Sequence, residues 1–190
     1  MTVDLDGLVH LVLAAGSTTV LIDGRSGAGK STLADHLQQC WDSSTVVRLD
    51  DIYPGWDGLA WAAAHVHTAL LQPRAAGHPG RWQQWDWVTG TPAGWRTVAP
   101  GARLILEGVG ALAAGNRPLA DIGIWVDAPD DVRKHQAMQR DGDTFRPHWE
   151  RWAAQEELLM ASDGPREAAD YLATDTGPGR AWAFVPNHPA

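Results

Sequence analysis

Cysteine is almost absent, with Cys40 the single example. No intramolecular disulfide can form, which suits a reducing cytoplasm, and beside Trp41 near a predicted helix end the thiol reads as a small packed residue. Positive charge is also short: 15 Lys and Arg face 23 Asp and Glu, for a formal net charge of -8. General nucleic-acid binders neutralise phosphates with a basic face, so that class is excluded. Any anion bound here must be met by cations gathered locally. Long apolar runs are missing too. Residues 8–15 follow Asp4 and Asp6 with no Lys or Arg, and His10 interrupts them, so the charged leader of a secretory signal is absent. The run is also too short to span a bilayer, and no membrane partner is expected. It predicts a short amphipathic helix within residues 1–17, ended by Gly16. No internal repeat or low-complexity tract appears, and the tail bearing Pro178, Pro186 and Pro189 has no periodicity. A chain of 190 residues suits one domain.

What is present is organised around Gly24-Arg25-Ser26-Gly27-Ala28-Gly29-Lys30-Ser31-Thr32, which matches the phosphate-binding P-loop pattern G-x-x-x-x-G-K-[ST]. Glycine at 27 and 29 lets the backbone curl around phosphate oxygens with N–H groups pointing inward. A helix starting at Lys30 aims its positive end at the same anion. Lys30 is expected to reach the β- and γ-phosphates of ATP, and Ser31 to offer its hydroxyl to Mg²⁺. The context agrees, because apolar Val20, Leu21 and Ile22 precede the motif and Leu33, Leu37 and Trp41 recur at helical spacing after it.

Further along, residues 45–49 predict a second strand running into Asp50, Asp51, Ile52 and Tyr53. Open α/β sheets place ligand groups at such carboxyl ends, which puts Asp50 or Asp51 near the phosphates. Asp57-Gly58 is expected to cap a helix over 59–71 closed by Pro73. His65 and His67, two apart, face different ways and do not form a metal pair. Residues 72–80 read as a loop and 90–101 as a weakly defined, turn-rich stretch. Residues 103–107 form a third strand that delivers Glu107 where a Walker B carboxylate belongs, next to Mg²⁺. A fourth strand covers 122–126, and a fifth 168–174.

Tryptophan is abundant at 11 residues. The group Trp56, Trp61, Trp82, Trp85, Trp87 and Trp95 is open to two readings, packing or a ring-stacking pocket. In an extended segment Trp85 and Trp87 share one face and Asp86 takes the other. Arg133, Lys134, Arg140, Arg146 and Arg151 fall within or beside two predicted helices, 131–140 with Asp130 as N-cap and 147–161, broken at Asp141-Gly142-Asp143. The whole region 130–162 is either a cationic lid over phosphates or a solvated face laced with ion pairs. Trp182 or Phe184 is available to cover an adenine ring.

Five strands alternating with helices, with a P-loop after the first, predict a three-layer α/β P-loop NTPase fold. The order P-loop, Asp50-Asp51-Ile52-Tyr53, strand-Glu107-Gly108, then Arg140-Asp141 in a helical lid resembles the uridine kinase-like group of P-loop kinases, relatives of phosphoribulokinase and bacterial pantothenate kinase. The similarity runs from about residue 18 to 175. It implies a five-stranded parallel sheet in the order 2-3-1-4-5, Asp50 as the base toward an acceptor hydroxyl, Tyr53 and Asp86 at the substrate, Glu107 near Mg²⁺, and Arg140 in the lid. Ile52 stands where the family has Phe, and no Arg-Gly follows Arg140-Asp141.

The expected activity is therefore transfer of the γ-phosphoryl group of Mg·ATP to a hydroxyl of a nucleoside or similar metabolite. Lys30, Arg140 and Arg146 would hold the phosphates, Ser31 and Glu107 the metal, and Asp50 the acceptor, with Asp51 as the alternative base. Trp85, Asp86 and Trp87 are candidates for the acceptor side. The competing expectation is a nucleotide-binding switch or slow NTPase. Neither the Asn-Lys-x-Asp element of GTPase switches nor the Leu-Ser-Gly-Gly signature of transporter ATPases occurs in the chain.

Overall fold

A computed structural model describes residues 2–177 and 181–188, so Pro178 and Pro189 of the tail lie outside the described residues. In chain order the elements are α1 (Leu5–Ala14), β1 (Thr19–Asp23), α2 (Lys30–Cys40), β2 (Thr45–Arg48), α3 (Leu59–His65), α4 (Gln72–Ala75), β3 (Gly80–Asp86) and β4 (Thr91–Val98). There follow β5 (Leu104–Glu107), β6 (Ile122–Val126), α5 (Asp130–Phe145), α6 (Trp149–Asp163), α7 (Pro165–Ala168), β7 (Tyr171–Gly177) and β8 (Ala181–Pro186). Among the described residues no helix is long and apolar enough to cross a membrane.

The main sheet has the order β2-β5-β1-β6-β7-β8. All neighbours pair in parallel except β7 and β8, which are antiparallel. This corrects the expectation of five parallel strands. The extra strand comes from the tail that showed no period: β8 docks by backbone pairing on β7, and a bridge from Val3 to Phe184 ties it to the start of the chain. Alternation along β1 explains the three layers, since successive side chains leave opposite faces of a strand. Val20 and Ile22 point to one face, where they meet Leu8 and Val12 of α1, Leu33 and Leu37 of α2, and Trp41 at its C-cap. Leu21 points to the other, toward Leu59 and Val66 of the α3 segment and Trp152 of α6. Leu33 and Leu37 are fully buried, and truncating either to Ala would cost about 2–5 kcal/mol.

Other local expectations shift. Pro73 does not close the helix over 59–71: α3 widens into a π-type stretch, Val66–Leu71, and Pro73 sits in the first turn of α4, where its missing N–H costs nothing. The stretch 90–101 is mostly β4, which pairs with β3 as a separate two-stranded sheet and is exposed along most of its length. Asp57 does not cap α3; Gly58 is the N-cap, and the Asp57 carboxylate pairs with Arg151. Asp130 is the first helical residue of α5 instead of its cap, and residues 168–169 belong to or follow α7, so that β7 starts at Tyr171. The break expected at 141–143 is a kink: Gly142 has φ 44 and ψ -118 inside α5.

Candidate functional site

The P-loop runs from the end of β1 into α2, with Gly29, at φ 98, as the left-handed N-cap. Gly27, at φ 79, has a second requirement, because a Cβ there would run into the backbone carbonyl of Arg133 at the start of α5. The loop therefore needs glycine partly to let the neighbouring helix approach. Above it lies a cavity of about 210 Å³. Ser26, Gly27, Gly29, Lys30, Ser31 and Thr32 line it from the loop, Asp50 from the end of β2, Glu107 and Val109 from the end of β5, and Gln136, Ala137 and Arg140 from α5.

Inside this cavity the charged groups are already paired. Lys30 Nζ donates to the Arg25 carbonyl at 3.1 Å. Ser31 Oγ donates to Glu107 Oε1 at 2.9 Å, and Arg48 Nε stands 3.4 Å from the same oxygen. Burial raises the Glu107 carboxyl above its usual range, with Lys30 pulling the other way. Arg140 donates through Nε and Nη2 to Asp141 Oδ2, at 2.8 and 2.6 Å, and its Nη2 lies 3.9 Å from Asp50 Oδ2. The bond to Asp141 lifts the Arg140 guanidinium still higher. Magnesium is bound by hard oxygens, usually one or two from protein with phosphate and water completing the set. The Ser31 hydroxyl and the Glu107 carboxylate, 2.9 Å apart beside the loop, have that chemistry.

No family model and no curated protein matches the sequence. Among solved structures, a protein described as a possible uridine kinase from Bacillus stearothermophilus is similar at 25% identity, covering 88% of this chain and 96% of its own, with a TM-score of 0.63. A protein provisionally named a fructose transport system kinase, from Silicibacter sp. TM1040, is similar at 20% identity, over 88% of this chain and 95% of its own, with a TM-score of 0.54. The chain has the P-loop kinase fold.

Within the P-loop kinase fold, the residues singled out from sequence divide by position. Asp50, and not Asp51, lines the cavity. Asp51 is an exposed residue, and partial desolvation of its carboxyl together with neighbouring Asp50 raises that group above its usual range. Gly24 and Ala28 do not line the cavity; Ala28 is buried in the core beneath the loop. Arg146 is exposed and also stands outside the lining. Of the five cations expected in a lid, only Arg140 lines the cavity. Arg151 goes to Asp57, Lys134 Nζ lies 3.8 Å from Glu150, and Arg133 is buried against Ser26.

The residues expected on the acceptor side sit at different depths, and of them only Asp50 lines the cavity. Tyr53 is fully buried, its hydroxyl donates to the Val109 carbonyl at 2.8 Å, and burial pushes its pKa up. It fixes the β5 loop from below. Trp87 donates from Nε1 to the backbone carbonyl of Asp50 at 2.8 Å and touches Trp56, whose ring stacks on Phe145 and His148. Trp85 is half-buried on the hairpin and does not line the cavity. Asp86 also turns away: its carboxylate accepts from the N–H of Val88 and from Thr89 Oγ1, both at 2.8 Å, and these bonds lower its pKa. Phe184 is buried in the core. Trp182 is buried too, donating to His36 Nδ1 at 3.1 Å.

Sequence reasoning missed Asp23, Gln136 and Glu156, and it placed Arg133 among cations facing the phosphates when its guanidinium holds the loop backbone at Ser26. Asp23 is fully buried at the end of β1 and accepts from the N–H groups of Gly24, Gly110 and Leu112, at 2.7, 3.1 and 2.8 Å. It stitches the P-loop to the loop after β5. A carboxylate ending an apolar strand directly before Gly24 was the available signal.

Proposed function

We propose that this protein transfers the γ-phosphoryl group of Mg·ATP to a hydroxyl of a small metabolite. The observation that carries this reading is a single cavity in which the P-loop groups Lys30 and Ser31 and the buried Glu107 meet Asp50 and Arg140. Lys30 and the loop N–H groups bind the polyphosphate, and Arg140 lies within reach of the charge that spreads over the transferring group. Asp50 orients the acceptor hydroxyl and takes its proton. Ser31 and Glu107 would hold Mg²⁺, which when bound supplies charge neutralisation on the phosphates. The backbone at Asp50 is fixed by Trp87, so the base is held on a braced turn.

The neighbour described as a possible uridine kinase supports a nucleoside hydroxyl as the first acceptor to try. The test is ADP release measured with Mg·ATP over a panel of nucleosides, sugars and vitamin precursors. One acceptor that raises the rate well above background supports the kinase. ADP formation indifferent to every acceptor supports the slow NTPase or switch instead.

A further inference from the structure

The peptide unit between Arg25 and Ser26 is held at both ends. Its carbonyl oxygen accepts from Lys30 Nζ at 3.1 Å, and its N–H donates to Glu156 Oε1 at 2.8 Å. The other oxygen of Glu156 accepts from Arg25 Nε at 3.0 Å. One step along, the Ser26 carbonyl accepts from Arg133 Nη1 at 3.0 Å. Glu156 is 1% exposed and Arg133 4% exposed, so these bonds are shielded from water and stronger for it. Glu156 belongs to α6 and Arg133 to α5. Both overhanging helices thus send a buried charge to the same turn of the P-loop.

Burying a carboxylate is costly unless its oxygens are satisfied, and both oxygens of Glu156 are used here. An ion pair with Arg25 alone would need only the charge. The bond to Ser26 N–H needs reach and direction, and it acts on the peptide whose other end carries Lys30.

We propose that Glu156 is a positioning residue for phosphate binding. By fixing the plane of the Arg25–Ser26 peptide it sets where the Arg25 carbonyl stands, and through it the Lys30 ammonium, before nucleotide arrives. Lys30 then loses little side-chain freedom on binding, because the fold has already restricted it. The inference rests on the reading of the loop as a nucleotide site.

Three variants separate reach from charge. Glu156→Gln keeps an acceptor oxygen at the same distance and loses the charge; Glu156→Asp keeps the charge and is one methylene short; Glu156→Ala loses both. Affinity for Mg·ATP is measured by titration calorimetry, and melting temperature without nucleotide reports whether each variant folds. A lost charge-assisted hydrogen bond corresponds to roughly tenfold to hundredfold in affinity. Gln is expected to bind within about threefold of wild type, and Asp and Ala to be weaker by about tenfold or more. If Ala does not fold, the order of Gln above Asp carries the test. Asp binding as well as Gln or better, or three variants that all match wild type, would overturn the positioning role. Wild-type protein that binds no Mg·ATP is a separate result: it removes the nucleotide site, and this inference with it.

Discussion

Ser31 and Glu107 are joined by a hydrogen bond of 2.9 Å that ties the first turn of α2 to the end of β5. Two hard oxygens of the kind that bind Mg²⁺ are thereby brought to one edge of the phosphate loop, from residues 76 positions apart in the chain. Replacing Glu107 by Gln keeps the shape and removes the charge. The Mg²⁺ concentration giving half-maximal ADP release should then rise by roughly 10 to 100-fold, the usual effect of disturbing a metal's supporting ligands. An unchanged magnesium requirement would remove Glu107 from the metal site.

Asp50 lines the cavity with its carboxylate 3.9 Å from Arg140, and the proposed reaction makes it the base toward the acceptor. Asp50→Asn should lower turnover by roughly 10² to 10⁴-fold, the range for loss of a general base, while Mg·ATP affinity stays close to wild type. The same substitution at Asp51, which does not line the cavity, should have a much smaller effect. Steady-state rates for the two variants decide between them, and a larger loss at Asp51 would reverse the assignment.

Asp23 predicts a pH dependence of stability. Burial lifts its carboxyl from the usual 3.8 to about 6, against the pull of Lys30 and of the backbone N–H groups it accepts from. The folded state therefore holds this proton more tightly than the unfolded chain. Its stabilising contribution is full below about pH 3.8 and is lost as pH rises through about 6. The separation of the two values corresponds to about 3 kcal/mol. Asn at this position does not titrate. The stability of Asp23→Asn relative to wild type should thus improve by up to about 3 kcal/mol between about pH 4 and about pH 7. Denaturant unfolding of both proteins across that range checks it, and parallel pH profiles would contradict it.

The phosphate loop was legible because its meaning is local: glycines, lysine and serine at fixed spacing between a strand and a helix. Glu107 was legible for a similar reason, as the polar end of an apolar strand. Direction was not legible. Five cations crowd residues 133–151, yet of these only Arg140 turns to the cavity: Arg133 holds the loop backbone, Lys134 lies beside Glu150, Arg151 pairs with Asp57, and Arg146 is exposed outside the lining. Glu156 beside Glu157 on a helix looks like a solvated pair, and only the packing of α6 against the P-loop shows that one of them is buried. Strands β4 and β8 were hidden because backbone pairing forms them: Pro92 and Gly94 break any pattern in β4, and β8 exists by virtue of the β7 edge. Asp86 looked like an acceptor contact, but the hairpin turn after it offers nearer donors.

The most direct measurement is titration of the wild-type protein with Mg·ATP by calorimetry, with a melting-temperature series alongside and Lys30→Ala as the comparison. The expected result is a saturable heat and a raised melting temperature, with nucleotide at about 100 times its Kd stabilising the fold by about 2.7 kcal/mol, and both effects sharply reduced in Lys30→Ala. A wild-type protein that gives neither heat nor a thermal shift, or a Lys30→Ala variant that binds as tightly, would contradict a phosphate site above the P-loop.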